Sequence, residues 1–270
     1  MRGTALLAAS LCLASGHARA QRAELVMTTE LRVCADPNNM PWTDKAQEGF
    51  ENKIADVIGA DLKVPVSYFY FPLVASFVRN TLAAHQCDLI MGTASGGAVD
   101  ATNPYYHTGY QIVTRAEDAI TARSVGDPAL AGKRFGIIAA TPPTNLLLKH
   151  QLLDRTESYS RATESHFGTP DRQMIQDLLD HKIDVALLWG PVAGYAILHE
   201  RLPLRAAFLE PEPDSPRLDY RIAMGVRAGE PEWRRTINAA ILRRQGEITG
   251  ILQSYGVPLL DERNQPIPPP

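Results

Sequence analysis

Five carboxylates fall where a cleft could use them: Asp36, Asp44, Glu51, Asp100 and Asp184. Two carboxyls held at different pKa values could perform general acid–base chemistry. Several of the five also have plain structural uses. Asp36 precedes Pro37 and can close an Asx turn. Glu51 falls in the first turn of a predicted helix, where the helix dipole favours negative charge. Asp184 opens a predicted strand. No Gly-x-Ser-x-Gly, His-Glu-x-x-His, phosphate loop or Cys-x-x-Cys occurs. The seven histidines show no metal-ligand spacing. His85, His150, His166, His181 and His199 fall at helix ends or in polar segments and read as surface or capping residues. His107 begins an extended segment but supports no chemistry alone. We therefore expect no catalytic set, no metal site and no cofactor.

What remains is binding. Trp42, Phe69, Tyr70, Tyr105, Tyr106 and Trp189 fall near predicted strand ends or crossovers. Phe69 and Tyr70 read more simply as core. Trp42 and Trp189, in or beside loops, read as cleft residues. Thr141 opens a Thr-Pro-Pro-Thr helix start that could face an anion, although the two prolines remove amide donors. The candidate ligand or partner contacts are Asp36, Asn38, Asn39, Trp42, Glu51, Thr93, Tyr105, Tyr106, Thr141 and Trp189.

The elements that must position these residues follow from periodicity. Leu31–Ala35 reads as a strand, residues 36–48 as a polar lip loop, and Phe50–Leu62 as a helix with Phe50, Ile54, Val57, Ile58 and Leu62 on one face. Aromatic-rich Val66–Phe71 is a second strand, residues 75–85 a second helix, and Cys87–Gly92 a third strand. The β-α-β-α-β order predicts a parallel sheet covered by helices. Residues 93–103 read as a second loop facing the first. His107–Arg115 is an extended segment leaving this unit. The pattern then restarts, with strands at 134–139 and 184–190 and helices from Thr141, over 171–179 and over 191–200. Residues 153–169 read as irregular and 202–208 as a strand. A second crossing strand at 219–226 and a long helix over 231–255 close the chain. We expect a signal peptide over 1–20, domain one over 28–112 plus 221–262, domain two over 113–220, and a disordered tail over 263–270. Two hinge strands and a cleft would lie between the domains.

Composition agrees with an exported globular protein of 270 residues, 45% apolar and 21% charged. Arg2, the apolar run from Ala5 to Ala14 and Ala18-Arg19-Ala20 form a secretory leader. Its removal takes Arg2 and Arg19 away and moves the net charge from −3 to −5. The basic residues are scattered, which excludes a nucleic-acid footprint, and no later run reaches the ~18 apolar residues of a membrane helix. The mature chain keeps Cys34 and Cys87. An oxidising compartment favours their pairing. An axial offset of roughly 10 Å between neighbouring strands opposes it, since a bridge needs Cα atoms within about 7 Å. The pairing stays open.

Leu31–Asp36, Gly49-Phe50-Glu51, Cys87–Gly92, Pro104-Tyr105-Tyr106, Asp184–Leu188 and the strand and helix from Tyr220 resemble the type II periplasmic solute-binding family. Val33–Pro41, Gly49–Ala55, Phe77–Leu82 and Cys87–Gly92, with Tyr255-Gly256-Val257-Pro258, are similar to its MoxJ/XoxJ-type branch. The resemblance covers residues 29–260 and implies two doubly wound α/β domains. It also implies a periplasmic accessory role for a PQQ-dependent methanol dehydrogenase, lanthanide-dependent or not, or for its cytochrome. Amino-acid-binding members carry an arginine after the third strand and an acid after the fifth. Here residues 93–103 contain no arginine, and Trp189-Gly190-Pro191 replaces the acid, so an amino-acid ligand is not expected. The alternatives are a receptor delivering another small solute to an ABC permease and, weakest, a dehydratase of the cyclohexadienyl type. An enzyme of that kind would need a cleft carboxyl with a raised pKa and a substrate arginine.

Overall fold

The computed structural model describes residue 26 and residues 29–94, 99–160 and 169–268; the leader expected over 1–20 lies outside them. Leu31 and Val33 to Ala35 are buried in strand β1 (Leu31–Ala35). Such a nearly continuous apolar run suits a parallel strand covered on both faces. β1 pairs in parallel with β4 (Val66–Tyr70) on one side and β5 (Leu89–Ala94) on the other. The expected lip contains a small hairpin, β2 (Asn38–Asn39) with β3 (Thr43–Asp44). Helix α1 (Phe50–Leu62) follows, with Phe50, Ile54 and Ile58 buried one turn apart. Lys63 ends it in a left-handed cap whose N–H reaches back to Ala60 and Gly59.

The second helix is shorter than its periodicity predicts. Only Phe77–Asn80 forms α2. The Thr81 hydroxyl bonds back to the Phe77 carbonyl, Thr81 leaves helical geometry, and His85 turns to positive φ. Side-chain competition for the backbone ends the helix early. The second loop is also shorter than expected, because β5 runs on to Ala94 and β6 (Asp100–Arg115) starts before Pro104.

β6 is the spine. From Asp100 to Gly109 it pairs antiparallel with β11 (Asp219–Val226). From Tyr110 onward it pairs with β9 (Val185–Trp189) on one side and β10 (Leu204–Phe208) on the other. β7 (Phe135–Ile138) joins β9 to β8 (Thr156–Tyr159). The mixed sheet runs β4-β1-β5-β11-β6-β9-β7-β8, with β10 attached to β6. β8 occupies a stretch expected to be irregular. Its sequence Thr-Glu-Ser-Tyr lacks apolar alternation, and it takes the sheet edge with only Tyr159 buried.

Helices α3 (Thr144–Lys149), α4 (Pro170–Leu179), α5 (Gly190–Leu198) and α6 (Pro231–Ser254) complete the layers. Phe50, Ile54 and Ile58 pack with Ile237, Ile241, Ile248 and Leu252 in a core at the β1 end of the sheet. Separate cores form at the β7 end around Phe135, Leu146 and Leu187, and around Met174, Leu178 and Leu188. The expected disordered tail is ordered through residue 268. β12 (Leu259–Leu260) pairs with β13 (Pro266–Ile267). Asp261 closes the turn by accepting N–H bonds from Arg263 and Gln265, each at 2.8 Å.

Cys34 and Cys87 form a disulfide with Cα atoms 5.5 Å apart. β5 begins at Leu89, so Cys87 precedes the strand and the expected offset does not apply. Beside the bridge, fully buried Asp88 accepts from Arg32 at 2.7 and 2.8 Å and from Arg227 at 2.5 Å. Arg227 also donates to the Cys87 carbonyl and to Glu230. This network fastens β1, the approach to β5 and the chain after β11.

Candidate functional site

A cavity of about 610 Å³ lies at the strand ends between the two parts of the sheet. Its walls include Asp36, Asn39, Trp42, Glu51, Thr93, Tyr106, Thr141 and Trp189. Asn38 and Tyr105 are the two candidate contacts outside the lining. Asn38 lies exposed on the lip hairpin, its N–H bonded to the Asp36 carboxylate. Tyr105 is fully buried, with its hydroxyl donating to Glu51 Oε1 at 3.2 Å. It supports the cavity from behind.

The lip is pinned to α1. Pro41 and Trp42 carbonyls accept the Phe50 and Glu51 amides, each at 2.9 Å. Asn52, three residues past Gly49, accepts the Gly49 and Asp44 amides through Oδ1. Together these satisfy orphan donors of the helix start and fix Trp42 against Phe50, ring centroids 6.2 Å apart. Asp36 Oδ2 accepts the Leu73 amide at 2.5 Å, tying the lip to the loop after β4. Trp189 closes the opposite wall, edge-on to Tyr110 and Tyr220.

Glu51 is the unusual group. Its carboxyl is buried against Gly92, where a Cβ would lie 2.3 Å from Oε1; the positive φ of Gly92 also requires glycine. Burial pushes the Glu51 carboxyl up to about 8, against a smaller lowering from the Tyr105 hydrogen bond. At neutral pH it is a neutral acid that can donate as well as accept.

Asp171 was not among the expected contacts, yet it lines the same cavity. Desolvation raises its pKa as well. It occupies the first turn of α4, set there by the Thr169 N-cap and Pro170. Thr-Pro-Asp is a legible helix start, but nothing local in the sequence shows that this start faces Glu51's helix across the cavity. No Arg, Lys or His lines the cavity among the described residues. The carboxyls therefore meet aromatic walls and hydroxyls without a cationic partner for an anionic ligand.

His107 is structural in its contacts. Buried in β6, it meets Asp219 Oδ2 at 2.5 Å and the Asp261 carbonyl at 3.2 Å. It therefore links β6, β11 and the turn after β12. Burial opposes ionisation of Asp219, but hydrogen bonds from His107 and Arg217 hold its carboxyl below the usual range. Among the described residues no group of His, Cys, Asp and Glu is arranged to hold a metal, and no helix is long and apolar enough to cross a membrane.

Residues 31–258 match the model of the bacterial extracellular solute-binding proteins, family 3. The chain is 27% identical over 275 residues to protein MoxJ of Paracoccus denitrificans, covering 94% of this chain and 95% of that one. The crystal structure of periplasmic binding protein XoxJ from Methylobacterium extorquens AM1 is 40% identical, with a TM-score of 0.74 over 86% of this chain and all of that one. The structure of MxaJ from Methlophaga aminisulfidivorans is 25% identical, with a TM-score of 0.72 over 85% and 100% of the two chains.

Proposed function

The chain belongs to the family 3 bacterial extracellular solute-binding proteins, and from that footing we propose that it is a periplasmic accessory factor of a PQQ-dependent methanol dehydrogenase. In this reading the two parts of the sheet are domains that hinge on β6 and β11. The cleft between them holds a segment of the dehydrogenase or of its cytochrome during activation. The role rests on the resemblance to MoxJ and XoxJ.

The observation that favours a chain segment as the occupant is the chemistry of the cleft. Trp42, Tyr106, Tyr110 and Trp189 give broad apolar contact, and Glu51 offers a neutral donor. A free carboxylate would find no guanidinium among the described lining residues. A chain segment brings apolar side chains and backbone carbonyls but no such charge. Deleting the gene from a methanol-grown strain should lower active holo-dehydrogenase, and a W42A/W189A variant should fail to restore it. Unchanged dehydrogenase activity in the deletion strain would sink the proposal.

The second reading is a receptor that passes a small solute to an ABC permease. A neutral acid in the cleft also suits a polar, uncharged solute. Such a solute at a hundredfold excess over its Kd would add about 2.7 kcal/mol to stability, which a thermal-shift screen including PQQ would detect. The raised Glu51 carboxyl meets one requirement of the dehydratase reading. That reading has no substrate-binding arginine among the described lining residues.

A further inference from the structure

A second depression, about 830 Å³, lies between β10, the end of α5 and the C-terminal hairpin β12–β13. Leu198 and Ile267, both on its walls, are 53% and 40% exposed, high values for large apolar side chains. The pattern of backbone bonds says what the groove lacks. In the β6–β10 ladder the odd-numbered residues of β10 face β6. Leu209 N–H donates to the Tyr110 carbonyl, Ala116 N–H donates to Pro203, and Arg205 and Ala207 stand opposite Thr114 and Ile112 between them. Backbone groups alternate sides along a strand, so the N–H and C=O of Ala206 and Phe208 point away from β6. The next outward amides on either side are satisfied, Leu204 by Leu202 and Glu210 by Arg123. Those of Ala206 and Phe208 have no partner among the described residues.

Two further groups point to the same occupant. Gln111, opposite Phe208 in register, is buried and lines the groove, and its Oε1 accepts no hydrogen bond among the described residues. The charged residues lining the groove are Arg123 and Arg205, with no acid. Arg123 pairs with Glu210 at 3.3 Å, whereas Arg205 has no carboxylate partner among the described residues. We propose that this groove takes an extended segment of a partner protein as an added strand on β10. The segment carries apolar residues at alternate positions and an acidic residue beside Arg205. Only an extended backbone supplies donors and acceptors at the two-residue spacing that Ala206 and Phe208 present. The apolar walls accept every second side chain, and Gln111 accepts a further donor. An unblocked edge strand with neither lysine nor proline is the template such pairing needs.

The test begins with amide exchange by NMR. In the free protein Ala206 and Phe208 exchange fast, while Arg205, Ala207 and Leu209 are protected. A displayed library of short random peptides is then selected on the protein. The expected binders alternate apolar residues around an acid, protect Ala206 and Phe208 from exchange, and lose affinity by about tenfold or more with Ala206→Pro. That change removes one outward N–H and leaves the β6 ladder intact. Arg205→Glu should weaken them similarly and serves if the proline variant does not fold. Methylating alternate amides of the peptide should also abolish binding. A W42A/W189A variant should bind the peptides unchanged, which separates this groove from the cleft. No binder, or binders indifferent to both β10 variants, would overturn the proposal. Concentration-dependent dimers that protect the same amides would instead assign the edge to a second copy of this chain and overturn it equally.

Discussion

Replacing Glu51 with glutamine should alter the pH dependence of stability rather than the fold. In the unfolded chain the carboxyl ionises near 4.5, and in the folded protein burial moves it to about 8. A folded-state value raised in this way means that the group's contribution is fully present below about 4.5 and is lost as the pH climbs through 8. Within that window the folded state holds one more proton than the unfolded state. Stability therefore falls by about 1.4 kcal/mol per pH unit, or about 5 kcal/mol across the whole window. Glutamine keeps the shape and the oxygen that accepts the Tyr105 hydroxyl, but it does not ionise. The stability difference, variant minus wild type, should be near zero at pH 4.5. It should rise steadily and favour the variant at pH 8. Urea unfolding followed by tryptophan fluorescence at each pH unit from 5 to 8 measures it, and Asp171, raised in both proteins, cancels in the difference. A difference that stays flat within about 1 kcal/mol over that range would refute the burial argument for Glu51.

Other perturbations test the scaffold that holds the cleft. The Cys34–Cys87 bridge closes a loop of 53 residues, for which chain entropy gives about 4 kcal/mol. The C34A/C87A variant should melt roughly 8–16 °C lower in calorimetry, and reductant should shift the wild type but not the variant. Asp88→Asn leaves buried Arg227 and half-buried Arg32 without their shared carboxylate and should cost about 3–5 kcal/mol in denaturant unfolding. Gly194→Ala places a Cβ 1.8 Å from the Gly256 carbonyl oxygen. Backbone must move, so the variant should lose about 1–3 kcal/mol, with amide shifts concentrated at residues 190–198 and 253–259.

The parts of this architecture that local pattern dictates were legible from the residues. α1 and α6 carry apolar faces at helical spacing, and β1, β5 and β9 are short, almost purely apolar runs between turn residues. What escaped had no local signature. β8 is a polar edge strand that exists because β7 offers it a ladder. α2 is cut short by a threonine hydroxyl. The ordered tail depends on Asp261 and on pairing across a turn that proline-rich composition conceals. Within the cavity, Trp42, Glu51 and Trp189 could be placed because each sits at the end of a recognisable element. Asp171 could not, because its position depends on how the second half of the chain folds back over the first. Tyr105 lies behind the cavity wall for a reason that no local pattern shows: β6 shifts register where Tyr106 and Pro104 oppose Ile222 and Ala223, the two tyrosine rings pack edge to face with centroids 4.9 Å apart, and only Tyr106 reaches the cavity.

The neutral state of Glu51 also makes the nature of the cleft's occupant measurable as protons. With its carboxyl titrating at about 8, Glu51 is largely protonated at pH 7 and offers an O–H. An occupant that presents a carbonyl or hydroxyl oxygen takes that hydrogen bond and leaves the proton in place. An occupant that presents an ammonium or guanidinium favours the ionised form, pulls the pKa down and expels the proton. A peptide segment docked through its backbone belongs to the first case. Titration calorimetry at pH 7 in two buffers of different ionisation enthalpy counts the protons exchanged on binding. We expect a count near zero for a dehydrogenase-derived segment, in the wild type and in E51Q alike. A release approaching one proton that disappears in E51Q would show a cation seated on Glu51 and refute the backbone-carbonyl reading of this cleft.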